Sequence, residues 1–165
     1  MDENFIADKT SYREAMSRLG AAVNIITTAS GTEGDVGFTA SAVCSVTDDP
    51  PTLLVCMNRA SKSNPAFLAS KILCVNVLAP EHQELSGPFA SVGNLTMAER
   101  FGLTKWLRLA TGSPVLENSA ASFDCTIDQV IEVGTHSVFF CGVKAIHLGP
   151  STAGLIYHGR TYHKV

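Results

Sequence analysis

Two clusters of short polar side chains in this 165-residue chain could do chemistry. The first is Thr39, Ser41 and Ser45, within GFTASAVCSVTDDPP (Gly37 to Pro51). Residues an even number apart on an extended strand point the same way. The three hydroxyls are therefore expected on one face, either exposed to water or turned to a polar ligand. The second cluster is NRASKSNP (Asn58 to Pro65), where Ser61, Ser63 and Asn64 stand beside Arg59 and Lys62 ahead of a helix that opens with Pro65. Free N–H groups at a helix start, together with hydroxyls and cations, can bind an anion such as phosphate. Ordinary capping by Ser63 or Asn64 is the alternative. Asp48-Asp49-Pro50-Pro51 reads as a turn into a strand ending at Asn58. One hairpin would then join the clusters, letting them serve the two ends of an elongated, phosphate-bearing ligand.

Other chemistries find less support. The chain has no GxSxG elbow, Walker loop or HExxH pair. His158 and His163 lie five apart without further ligands nearby in sequence, so no metal is expected. Gly31, Gly34 and Gly37 do not make the dinucleotide fingerprint and read as a hairpin turn. The five cysteines, Cys44, Cys56, Cys74, Cys125 and Cys141, sit in apolar stretches and read as small buried hydrophobes. A net charge of −3 without a basic run argues against nucleic acid. No stretch approaches the roughly 20 apolar residues of a membrane span. The acidic opening MDENFIADKT lacks a signal core, so a cytoplasmic protein is expected.

The positioning elements follow from pattern. Ser11 to Glu14 has the form of a capping box, and Tyr12, Ala15, Met16 and Leu19 make an apolar stripe ended by Gly20. AVNIITT, PTLLVCMN and ILCVNVL are strand-like. A helix is expected from Asn64, another over PEHQELSGPFA, and a third over TMAERF capped by Thr96 and Glu99. GLTKWLRLATGSPVLENS reads as loop. Phe123, Cys125, Ile127, Ile131 and Val133 are expected on one strand face, with Asp124, Thr126, Asp128 and Glu132 opposite. THSVFFCGVKAIHL and LIYHGRTYHKV, with a turn at Gly159, complete six to eight strands. Few helices and no βαβ rhythm predict one mostly β domain over residues 1–165, an antiparallel barrel with peripheral helices.

Taken in order, AVNIITT, GFTASAVCSVTDDPPTLLVCMNRASKSNPAF, LCVNVL, MAERF, GTHSVFF and LIYHGRTYHKV resemble the short-chain flavin reductases over nearly the whole chain. These are the small partners of two-component aromatic hydroxylases. The resemblance is nearest to the reductase components of 4-hydroxyphenylacetate 3-monooxygenase and, beside them, the chlorophenol monooxygenases. It implies a flavin-binding split β-barrel, usually a homodimer. It implies hydride transfer from NADH (or NADPH) to FAD or FMN, and release of reduced flavin to a separate flavin-dependent aromatic monooxygenase. By the same resemblance, Thr39, Ala40 and Ser41 lie along the isoalloxazine ring with Ser45 and Val46 nearby. Asn58, Ser61, Lys62 and Ser63 hold the ribityl chain and phosphate, and Phe89 and Glu99-Arg100-Phe101 form the wall. His136, Tyr157, His158, Arg160 and Tyr162 form the nicotinamide side. His136 is the catalytic candidate, placing the nicotinamide or tuning charge near flavin N1; a strand histidine bonded to backbone is the alternative. The rival readings are a barrel that retains FMN as an oxidase or sensor, and a binding barrel without turnover.

Overall fold

The computed structural model describes residues 7–165 and is built from antiparallel pairings. In chain order the elements are α1 (Lys9–Ser17), β1 (Ala21–Ala22), β2 (Asn24–Ser30), β3 (Gly34–Ala40), β4 (Val43–Asp48), β5 (Pro51–Asn58), α2 (Asn64–Ser70) and β6 (Ile72–Val77). A 3₁₀ turn at Pro80–His82 leads into α3 (Gln83–Phe89), α4 (Met97–Phe101), β7 (Trp106–Arg108) and β8 (Pro114–Leu116). The long β9 (Ala121–Val133) and β10 (His136–Leu148) are followed by β11 (Leu155–His158) and β12 (Thr161–Lys164). No helix among the described residues is long and apolar enough to cross a membrane.

Seven strands form one sheet in the order β3-β2-β6-β9-β10-β5-β4, with every neighbour antiparallel. Its two edge strands, β3 and β4, are separated in sequence only by Ser41 and Ala42. The sheet must therefore curl until its edges meet at one corner. Side chains from both ends share one core: Val36 and Ala40 of β3 cluster with Val55 and Met57 of β5, Phe139 of β10 and Phe67 of α2. Among the described residues no ladder closes β3 onto β4.

Twelve strands among the described residues exceed the six to eight expected. The C-terminal hairpin expected around Gly159 is β11 and β12, which form a small sheet with β1. The unexpected strands are β1, β7 and β8, of two or three residues each and too short to show a period, with β7 pairing with β8 inside the segment read as loop, and the stretch read as one strand from Gly37 divides into β3 and β4. Three local expectations are corrected. Helix α1 begins at Lys9, and Asp8 caps it by accepting from the Ser11 N–H at 2.7 Å, so Ser11 and Glu14 form no capping box. A carboxylate at this end also suits the helix dipole. The Thr96–Glu99 box at α4 forms as expected. In β9 the ladder to β10 slips between Ile127 and Gln129, so one alternation cannot run the whole strand. Ile131 and Val133 end up exposed while Phe123, Cys125 and Ile127 pack inward. Asp124, assigned to the polar face, is fully buried and accepts from the Thr111 N–H and hydroxyl. Finally, only Cys74, Cys125 and Cys141 are buried; burial pushes the Cys125 thiol up to about 12 and raises that of Cys141 further, whereas Cys44 is exposed.

Asn76 of β6 ties the layers together. Its amide donates to the Ile25 carbonyl (3.0 Å) and the Thr27 hydroxyl (3.2 Å), and its oxygen accepts from the Leu116 N–H (2.8 Å) and the Ser122 hydroxyl (2.9 Å). The residue is fully buried. Asn76→Leu keeps the volume but strands these partners, at an expected cost of about 2–4 kcal/mol. The measurement is the urea unfolding midpoint, which should fall with the slope unchanged.

Candidate functional site

The corner where the sheet curls opens into a cleft of about 350 Å³. Phe38 to Ala42 run along one side, Cys56 to Asn58 and Ser61 along another, and Phe89, Ala90, Ser91 and His136 complete it. Ala40, Ser41 and Ala42 present only small side chains here. Asn58 and His136 are direct partners across the β5–β10 ladder, so the sheet register itself sets them side by side. A smaller cavity of about 240 Å³ adjoins it, sharing Thr39, Ala40, Ser41 and Ala90 and adding Ser86, Tyr157 and Tyr162.

The polarity of Thr39 is fixed by its surroundings. Its hydroxyl lies 2.7 Å from the Ser86 carbonyl. A carbonyl only accepts, so the single hydroxyl proton is committed there, and toward the cleft Thr39 can offer only an acceptor. The buried Ser86 also meets the Tyr162 hydroxyl at 2.7 Å, which ties the C-terminal hairpin to α3. Phe89 forms a rigid wall: it is buried and packs edge-on against Phe101 (5.2 Å between centroids) and Trp106 (5.9 Å). Gly37 lies in the middle of β3, not in the turn. A Cβ there would stand 3.0 Å from a Phe89 ring carbon and 3.1 Å from the Ile26 carbonyl oxygen, so only glycine lets Phe89 come this close.

His136 is held by its turn. Arg59 donates from its backbone N–H to the Thr135 carbonyl (2.9 Å) and from its guanidinium to the Gly134 carbonyl (3.3 Å), and it pairs with Glu132. Glu132 also accepts from the Ser137 hydroxyl (2.9 Å), which in turn accepts from the buried Asn64 amide (3.3 Å). His136 Nδ1 lies 2.9 Å from the Thr135 hydroxyl, a side-chain partner rather than the backbone one the alternative required.

The structure brings together Thr39, Ala40, Ser41, Asn58, Ser61, Phe89 and His136 in one cleft, with Tyr157 and Tyr162 in the adjoining cavity. It does not place Ser45 or Val46 there. The strand breaks at Ser41–Ala42, so parity does not carry from Thr39 to Ser45. Ser45 instead lies with Phe123, Val143 and Ile146, and Val46 is exposed. Lys62 is exposed, Ser63 caps nothing with its side chain, and neither lines the cleft. Helix α2 has only seven residues, and Asn64 turns inward instead of capping it. Arg160 pairs with Glu14 of α1 (2.9 Å) and borders another groove, and the His158 carbonyl meets His163 Nε2 at 3.1 Å. Phe101 backs the wall, whereas Glu99 serves its own helix and Arg100 donates to the Leu95 carbonyl. Sequence reasoning missed Ser86, Glu132 and Ser137 as supports, because Ser86 meets Thr39 and Tyr162, Glu132 meets Arg59 and Ser137 meets Asn64, all far away in the chain and without a local pattern.

Residues 16–165 match the family model of the flavin reductase like domain. The chain belongs to this family. It is 58% identical over 160 residues to the FMN reductase (NADH) RutF of Variovorax paradoxus, covering 97% of this chain and 87% of that protein. A provisionally assigned flavin reductase from Haemophilus somnus superposes with a TM-score of 0.91 at 43% identity, covering 96% of this chain and all of that one. BorF, the flavin reductase component of a bacterial two-component tryptophan halogenase, superposes at 0.86 with 26% identity, covering 96% and 98%. The residues matched by the family model include those of the cleft and its supports.

The residues fit a flat heterocycle: small side chains at the corner leave room for a ring, and an obligate acceptor at Thr39 suits a ring edge bearing N–H. Gly37→Ala is expected to displace Phe89, cost about 1–3 kcal/mol of stability and weaken flavin binding. Thermal unfolding and flavin fluorescence titration check the two effects.

Proposed function

We propose that this chain is an NADH-dependent FMN reductase that takes up free flavin, reduces it and hands it to a separate flavin-dependent monooxygenase. The observation that carries this is the cleft of small residues at the curled corner, with Asn58 and His136 side by side on its rim and Phe89 in its wall. FMN is favoured over FAD because the curated relatives are named as FMN reductases. NADH supplies a hydride and, with one solvent proton, flavin becomes reduced flavin and NADH becomes NAD⁺.

The work of the chain is alignment. Ala40, Ser41 and Ala42 let a ring lie close, Thr39 accepts from its edge, and Ser61 and Asn58 meet the ribityl chain. Phe89 blocks one side. His136, fixed by the Arg59–Glu132 clamp, orients the nicotinamide and carries no obligatory proton. Confining two rings in reacting geometry contributes on the order of 7–11 kcal/mol at best. The open, shallow cleft suits release of product better than a permanently held prosthetic group.

The curled antiparallel sheet is read as the split barrel of the family, and the whole chain as one cytoplasmic reductase domain. A homodimer is favoured by α1, which buries none of its residues and leaves Tyr12 and Met16 exposed beside a groove of about 1000 Å³.

Loss of nicotinamide absorbance on mixing with NADH and free FMN tests the activity; no turnover with either flavin overturns it. The protein is expected to leave a gel-filtration column colourless, whereas a stoichiometric yellow protein favours the prosthetic rival. His136→Ala should raise the KM for NADH about tenfold, the worth of one hydrogen bond. An unchanged KM and rate remove His136 from the site.

A further inference from the structure

Beyond His136 lies a second cavity, of about 740 Å³, that shares Asn58 and His136 with the flavin cleft. We propose that it is a phosphate-binding site for the nucleotide substrates, completed by Lys9 and Arg13 of α1. The inference rests on the reductase reading and adds two residues that it does not use.

Charge is the first argument. Lys9, Arg13 and Arg59 line this cavity, and among the described residues the only carboxylate in its lining is Glu132. Both oxygens of Glu132 are taken, one by Arg59 and the other by the Ser137 hydroxyl. Arg59 and Glu132 therefore cancel. Among the described residues neither Lys9 nor Arg13 has an acidic partner. The nearby acid on the same helix, Glu14, is committed to Arg160 and Arg18. Two cations facing a cavity that touches His136 create a field for an anion.

The helix supplies the second argument. Lys9 and Arg13 are one turn apart, so they share a face, and like charges at this spacing weaken a helix. A cation in the first turn also opposes the helix dipole. The Asp8 cap answers the helix dipole, but within the protomer no residue of α1 is buried, so packing there does not offset the repulsion between Lys9 and Arg13. The helix is instead held over the cavity by the Arg160–Glu14 pair and by the Gly159 N–H donating to the Ser17 carbonyl at 2.7 Å. Arg13 also borders the groove that contains Ser41 and Cys56 and so stands where the two spaces meet. A phosphate ester there would neutralise the pair while its ring reached the cleft. The terminal phosphate of flavin mononucleotide and the diphosphate of the nicotinamide dinucleotide share this chemistry.

The test is the Lys9→Ala/Arg13→Ala double variant, with KM measured for FMN, for riboflavin (the same ring without phosphate) and for NADH. Both residues are exposed, and circular dichroism checks that the fold is kept. A rise of about tenfold or more for FMN but not riboflavin supports the site and assigns it to the flavin phosphate. The same rise for NADH alone supports it and assigns it to the diphosphate. Arg13→Lys should restore part of the loss. Unchanged values for all three, or equal rises for FMN and riboflavin with NADH unchanged, overturn the proposal. If the parent protein shows no NADH-dependent flavin reduction, the reductase reading fails separately. Calorimetric binding of inorganic pyrophosphate then decides the cavity: binding lost in the double variant supports the site, and binding absent or equal in both proteins overturns it.

Discussion

A sheet whose two edge strands are consecutive in sequence cannot remain flat. The join Ser41–Ala42 forces β3 and β4 to a common corner, and the rest of the molecule accommodates that corner. An open sheet edge normally exposes unpaired backbone groups that invite aggregation. Here several carbonyls of the corner are already used: Ala40 accepts from the Asn24 amide, Ser41 from the Val43 N–H and Ala42 from the Cys56 N–H. The backbone is thereby partly satisfied, while the small side chains leave an open space beside it. The cleft is a consequence of the curl rather than a hole cut into a finished core.

Around that space the polar groups are oriented by contacts made outside it. The Ser86 carbonyl decides that Thr39 offers an acceptor, and the Ser86 hydroxyl holds Tyr162 at the mouth of the adjoining cavity. On the opposite rim Asn64, Ser137, Glu132 and Arg59 form a chain that ends on the turn before His136. Orientation achieved in this way precedes any ligand, and it spares a bound ring from having to order the groups that meet it.

The parts of this design that are local in sequence were legible there. The Thr96–Glu99 box, the turn at Gly159 and the hairpin from Asp48 to Pro51 each declare themselves within a few residues. The likeness of the ordered motifs to a family names Thr39, Ala40, Ser41, Asn58, Ser61 and His136, and these residues line one cleft. What failed was parity carried across an interruption. Counting from Thr39 to Ser45 runs through Ser41–Ala42, where the strand ends, and counting to Ile131 and Val133 runs through the irregularity near Asp128; Val46 rests on the resemblance alone. A period of two is reliable only while the ladder is unbroken. Nor could sequence reveal Ser86, whose partners Thr39 and Tyr162 lie 47 and 76 residues away.

The two sides of the cleft differ in kind, and the difference bears on how a ligand leaves. Phe89, backed by Phe101 and Trp106, belongs to a packed apolar cluster that has little freedom to move. The His136 side is a turn held by hydrogen bonds and an ion pair whose members are about half exposed. Water competes with such contacts and screens them, so each is modest. The Phe89 side of the cleft is therefore the firmer and the His136 side the more yielding. Firm apolar packing in one part of the cleft and solvent-weakened polar contacts in another are compatible because different layers of the fold supply them.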